Sequence, residues 1–246
     1  MNGISIFMYH QVGKFAPMKT HRASYCDVDQ FRMQMKLLKW LNVKVLSIHE
    51  AVQVLTGHAP MPERAALLTF DDGCVNFLEY ALPVLEEFSY PSVVYAIAGM
   101  AGGEAAWLAA DGHPTPPLMT YSQLREIKAR GVEVGSHANS HVRLAELSFE
   151  AQFKELASSK DRLQQELGSD VMHACYPYGS YSMETMRAAQ QAGYISAMTC
   201  ERGAAVAGQD LLGLPRKAIS YGDNALGFLW KLYFKNTPKQ PLLQRV

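Results

Sequence analysis

Leu67-Leu68-Thr69-Phe70-Asp71-Asp72-Gly73 is the stretch on which the reading of this chain turns. An apolar run containing a β-branched and an aromatic residue, preceded by Arg64, Ala65 and Ala66, reads as a buried strand. It ends in two adjacent carboxylates and a glycine. Neighbouring carboxylates at the rim of an apolar strand repel each other and lose hydration, so they need a cation, protonation or strong donors close by. Along a strand, adjacent side chains point to opposite faces, yet a strand passing into a glycine turn can bring both acids to one mouth. Taken alone, Asp71-Asp72-Gly73 reads equally well as a turn with two solvated acids.

A second stretch shifts that balance. Val132-Glu133-Val134-Gly135-Ser136-His137 is another short strand with a polar end, and it continues into Ala138-Asn139-Ser140-His141. If the chain turns helically there, His137 and His141 at i and i+4 lie on one face, the spacing at which two imidazoles grip one metal ion. Together with the acidic strand end, the pair points to a His-His-Asp metal site.

Outward from these stretches, strand and helix alternate. Strands are expected at 4–10, 43–46, 92–97, 171–176, 194–199 and 214–219. Helices are expected from an N-cap at Asp29 through Leu41, at 49–55, at 75–88 with a bend near Pro83, from a capping box at Thr120-Tyr121-Ser122-Gln123 toward Gly131, at 149–167 and at 182–192. The charged side chains of 149–167 are read as a solvated face. Alternation of this kind argues for an α/β fold with parallel strands, and no linker or repeat divides residues 1–246, which are read as one domain. His10, Asp71, Asp72, His137 and Tyr178 all fall at strand C-terminal ends, which share one face in a β/α barrel. The loose segment from Gly99 to Pro117, with Trp107 in it, is the candidate substrate-facing lid.

Three motifs, Thr69-Phe70-Asp71-Asp72-Gly73, Gly135-Ser136-His137-Ala138-Asn139-Ser140-His141 and Tyr176-Pro177-Tyr178-Gly179, resemble in order and spacing those of the polysaccharide deacetylases with the NodB homology domain, carbohydrate esterase family 4. The resemblance runs from roughly Ile4 to Ser220. Phe7-Met8-Tyr9-His10 is most similar to the subgroup that deacetylates poly-N-acetylglucosamine exopolysaccharides, in which a histidine near the start of the domain stands in for one near the end. The resemblance implies a distorted (β/α)7 barrel and a metal-dependent hydrolase that removes N-acetyl groups from an amino-sugar glycan or glycolipid.

On that footing Asp72, His137 and His141 are the expected ligands of a divalent metal. Two imidazoles and one carboxylate leave positions open, as in a catalytic zinc site, although Co2+, Ni2+ or Fe2+ suit the same ligands. Asp71 is then the expected general base, His10 the acid that protonates the leaving amine, and the backbone N–H of Tyr178 an oxyanion donor. The chain departs from the family in two places. Ala138 stands where most members have Ser or Thr, and Cys175 stands where many have the arginine that braces the catalytic aspartate. Arg216, in Leu214-Pro215-Arg216, is the residue that could take over that brace. Other readings are deacylation of a lipid-linked amino sugar or a small cyclic amide, and a carbohydrate-binding protein without catalysis.

Composition bounds the remaining possibilities. Of 246 residues, 48% are hydrophobic, enough for a sizeable core, and the formal net charge is zero, which gives no field favouring nucleic acid. Cys26, Cys74, Cys175 and Cys200 form no Cys-x-x-Cys pair and read as reduced thiols. No basic leader or apolar span is seen from Met1 onward, so a cytoplasmic protein is expected. The aromatic segment Leu226 to Lys235 is expected to pack on the barrel, with peripheral membrane contact as the alternative.

Overall fold

A computed structural model describes residues 3–18 and 20–245; Met1, Asn2, Lys19 and Val246 lie outside the described residues. The strands are β1 (Ile4–Tyr9), β2 (Gln11–Gly13), β3 (Tyr25–Asp27), β4 (Lys44–Val45), β5 (Ala65–Phe70), β6 (Val93–Ala96), β7 (Glu133–Ser136), β8 (His173–Cys175), β9 (Ser196–Arg202) and β10 (Leu214–Ala218). The α-helices are α1 (Val28–Trp40), α2 (Ile48–Leu55), α3 (Leu82–Phe88), α4 (Tyr121–Ala129), α5 (Phe149–Leu167), α6 (Met183–Gln191) and α7 (Ala225–Phe234).

The main sheet runs β1-β10-β9-β8-β7-β6-β5 and closes through a β1–β5 pairing, every pair parallel. The result is a seven-stranded α/β barrel. Its distortion is visible at β5. This strand runs in register with β1 from Ile4↔Ala65 to Tyr9↔Phe70, while β4 pairs with Ala65 and Ala66 and β6 with Thr69 and Phe70. The two-residue β4 therefore sits beside the start of β5 and β6 beside its end. Strands β2 and β3 form a small separate sheet.

Side-chain alternation sorts the core into two layers. Ile4, Ile6, Ala65, Leu67, Val93, Tyr95, Cys175, Met198 and Leu214 fill the barrel together with Leu46, Ile48, Ala51, Val54 and Leu55 from α2 and its approach, so α2 closes the N-terminal end. Phe7, Tyr9, Ala66, Leu68, Phe70, Val94, Val134, Ala174 and Ala197 face outward against the helices, where Phe31, Met35 and Leu38 of α1 complete the layer. Gly135 is required inside: a Cβ there would lie 2.5 Å from the Tyr95 ring.

Several local expectations are corrected. The N-cap of α1 is Asp27, whose carboxylate accepts from the N–H groups of Asp29 and Gln30. The segment read as one helix bent at Pro83 is a π-helical turn, Phe77–Ala81, followed by α3. The helical backbone continues unbroken from that turn into α3, and Pro83, which has no N–H to give to the turn before it and whose ring crowds that turn's carbonyls, sits directly after the π-turn, so the irregularity falls near Pro83 as the sequence predicts. The capping box at Thr120 and Gln123 forms as the sequence predicts. The four cysteines are free, three buried and Cys200 exposed. No helix among the described residues is long and apolar enough to cross a membrane.

Candidate active site

The inward series of β1, β5 and β7, extended one residue past the strand's C-terminal end, and that of β10 within the strand converge on one mouth. Continuing Ala65, Leu67 and Thr69 by two leads to Asp71, and the same count leads from Gly135 to His137 and from Leu214 to Arg216. A cleft of about 760 Å³ opens there, lined among others by His10, Asp71, Asp72, His137, His141 and Tyr178. Every residue that the sequence singles out for the site is therefore at this mouth.

Asp72 would point outward if the strand continued straight. Instead its backbone turns into the left-handed region (φ 72°), followed by Gly73 (φ 75°), and the side chain swings back beside Asp71. The two histidines also meet by an unexpected route. Residues 137–142 form no helix; Ala138 (φ 59°) and His141 (φ 54°) are both left-handed, and this loop brings the two rings to a centroid separation of 5.1 Å. The helical i,i+4 geometry expected from the spacing is thus corrected, although the side chains meet. Glu155, on the helix read as solvated, holds the loop: its carboxylate accepts from the N–H groups of Asn139 (3.1 Å) and Ser140 (2.9 Å) and from the Ser140 hydroxyl (2.9 Å). Nothing local in the sequence marks Glu155 for this task, because its partners lie 15 and 16 residues away.

Asp72 Oδ1 lies 3.4 Å from Nε2 of both His137 and His141, and the three ligand atoms fall within 4.8 Å of one another. Two donors bound at about 2.0–2.1 Å to one tetrahedral zinc are separated by about 3.4 Å, so this arrangement fits a divalent metal. His137 Nδ1 is 2.8 Å from the Cys175 carbonyl, which can only accept; the proton is therefore on Nδ1 and the Nε2 lone pair is free for a metal. Burial pushes the Asp72 carboxyl up, but the neighbouring His137 and His141 imidazoles pull it well below the usual carboxylate range.

Asp71 is buried beside this cluster and is held by Arg216. The guanidinium donates Nη1 to Oδ1 and Nη2 to Oδ2, both at 2.7 Å, and bonds the Thr199 carbonyl and the Thr69 hydroxyl as well. Burial raises the Asp71 carboxyl, yet the charge and hydrogen bonds of Arg216 outweigh it and keep the group ionised. Cys175 Sγ lies 3.1 Å from Arg216 Nη2, so the thiol sits directly against the clamp. His10 Nε2 is 3.9 Å from Asp71 Oδ2 and its ring lines the cleft. Tyr178 is left-handed (φ 57°); its ring packs against His141 at 4.6 Å and carries the Arg143 guanidinium 4.5 Å away. Trp107, from the segment read as a lid, stacks 4.0 Å from His141. That segment is less loose than expected, since it contains the 3-10 turn Ala106–Asp111 and a bridge between Glu104 and Pro117.

Comparison with known sequences matches the polysaccharide deacetylase family over residues 58–197. The chain belongs to that family. YxkH of Bacillus subtilis (strain 168), named for the same family, is 27% identical over 225 residues, 92% of this chain and 74% of its own. The poly-beta-1,6-N-acetyl-D-glucosamine N-deacetylase of Escherichia coli (strain K12) is 25% identical over 250 residues, but this chain spans only 37% of its length. Among solved structures, the Streptococcus pyogenes deacetylase PplD is similar with a TM-score of 0.79 at 27% identity, covering 94% of this chain and 98% of its own. Metal dependence is typical of the family, and the homologues indicate carbohydrate N-deacetylase activity. The chain carries a metal-fitting Asp/His cluster in keeping with that class.

Proposed function

We propose that residues 1–246 form a single catalytic domain that hydrolyses the N-acetyl amide of an amino-sugar glycan of the poly-N-acetylglucosamine type. The reading is carried by one observation: Asp72, His137 and His141 converge within metal-binding distance while Asp71, ionised and clamped, stands beside them. Relatives named poly-beta-1,6-N-acetyl-D-glucosamine N-deacetylase, from Escherichia coli at 25% and Staphylococcus aureus at 24% identity, support the substrate class.

Asp72, His137 and His141 would hold the divalent cation, zinc by ligand type. When bound, such an ion lowers the pKa of water and polarises an acyl oxygen. Asp71 takes the proton of the attacking water, and Arg216 keeps its carboxylate charged and oriented for that task. The backbone N–H of Tyr178 donates to the developing oxyanion. His10, across the mouth and next to Asp71, delivers a proton to the departing amine so that it leaves neutral. Trp107 walls the cleft on the far side of His141.

The test is acetate release by zinc-loaded protein from β-1,6-linked N-acetylglucosamine oligomers, a lipid-linked N-acetyl amino sugar and a small cyclic amide. Release from the oligomers is expected to exceed the others. Turnover confined to the cyclic amide would overturn the glycan assignment.

A further inference from the structure

Helix α7 is apolar on two faces but buries only one. Phe228 and Leu232 are fully buried, and the Phe228 ring stacks on Phe7 at 4.8 Å. Leu226, Trp230 and Phe234, spaced i, i+4 and i+8, line the opposite face and are 77%, 55% and 67% exposed. Trp230 and Phe234 stack on each other with centroids 4.6 Å apart, so the stripe is an ordered surface. Packing on the barrel, expected from the sequence, accounts for one side of this helix and leaves the other open.

Cations outnumber acids around the stripe, where Asp223 at the start of the helix is engaged by Lys231. From Asn224 to Val246 the chain has Lys231, Lys235, Lys239 and Arg245 and no acidic residue, within a protein of zero net charge. Lys231 is neutralised by Asp223 and Arg245 by Asp210. Among the described residues, Lys235 and Lys239 have no carboxylate partner, and Arg22, beside the N-terminal end of the helix, donates only to the Tyr221 carbonyl. Cations therefore stand at both ends of an exposed Leu-Trp-Phe stripe.

We infer that this face of α7 docks on an anionic lipid surface. Aromatic side chains at headgroup depth and lysines against anionic headgroups are the two terms that hold an interfacial helix. A second copy of the chain fits less well. Parallel pairing of two α7 stripes sets Arg22 against Arg22 and Lys235 against Lys235, and antiparallel pairing sets Arg22 against Lys235. Docking would also bring the cleft toward the headgroups, because Arg22 lies between His21 and Ser24, which line it.

The experiment is flotation of the full chain with phosphatidylcholine vesicles, with and without phosphatidylglycerol. Wild type is expected to float with the phosphatidylglycerol vesicles and to be released by salt. The double variant Trp230→Ser, Phe234→Ser should bind about tenfold more weakly or worse. Lys235→Glu with Lys239→Glu should lose the preference for the anionic lipid. Circular dichroism and acetate release, both expected to be unchanged in the Trp230/Phe234 variant, exclude unfolding as the cause. Equal flotation of wild type and the double variant would overturn the inference. So would a wild-type dimer in solution that the double variant breaks, which assigns the face to a second copy.

Discussion

Arg216 and Asp71 meet end-on, two nitrogens to two oxygens at 2.7 Å, across 145 residues of chain and in full burial. Such a pair contributes little as a pair but leaves an uncompensated charge when one partner is removed. Arg216→Met is therefore expected to destabilise the fold by about 3–5 kcal/mol, read as a lowered urea midpoint. Arg216→Lys keeps the charge but loses the fork, so it should cost less stability while still lowering turnover. An Arg216→Met variant as stable as wild type would contradict the buried clamp.

Trp107 is placed to report on the metal ligands. Its ring lies 4.0 Å from that of His141, whereas Trp40 and Trp230 are 78% and 55% exposed on the surface. Adding zinc to metal-free protein should change the tryptophan emission, and Trp107→Phe should abolish that change while zinc still binds. A metal response that survives in Trp107→Phe would place its origin elsewhere.

His173 sets an acid limit on stability that is separate from the site. It is buried with Nδ1 2.8 Å from the Ser196 hydroxyl; burial, then repulsion from His49 and Lys160, pushes its imidazole down to about 4. The unfolded chain takes up this proton near pH 6.5 and the folded chain does not. Stability is thus complete above about 6.5 and falls as the pH drops toward 4, by about 3 kcal/mol in all for this group. Denaturant midpoints for wild type and His173→Gln should diverge across this window, the variant being flatter. Parallel curves would remove His173 as the cause.

The strand ends were legible because period-two alternation is local: once Leu67 faces inward, so does Asp71. The alternation of strands and helices indicated the barrel, but closure of β1 on β5 and the half-length β4 depend on pairings that no local pattern encodes. His137 and His141 were legible as a pair for a reason that does not hold. Their spacing suits a helix, yet they are brought together by left-handed Ala138 and His141 and by the Glu155 carboxylate. Arg216 stands out in the sequence only because Cys175 leaves a missing brace to be filled. Glu155 and Arg143 had no signal, since their partners come from other segments.

The central claim is a division of labour between adjacent acids, Asp72 on the metal and Asp71 on the water. Zinc content and acetate release measured together on Asp71→Asn and Asp72→Asn test it most directly. Asp71→Asn is expected to bind zinc as wild type does and to lose turnover by about 10²–10⁴-fold, whereas Asp72→Asn should bind little zinc. Full turnover in Asp71→Asn, or undiminished zinc in Asp72→Asn, would contradict the account.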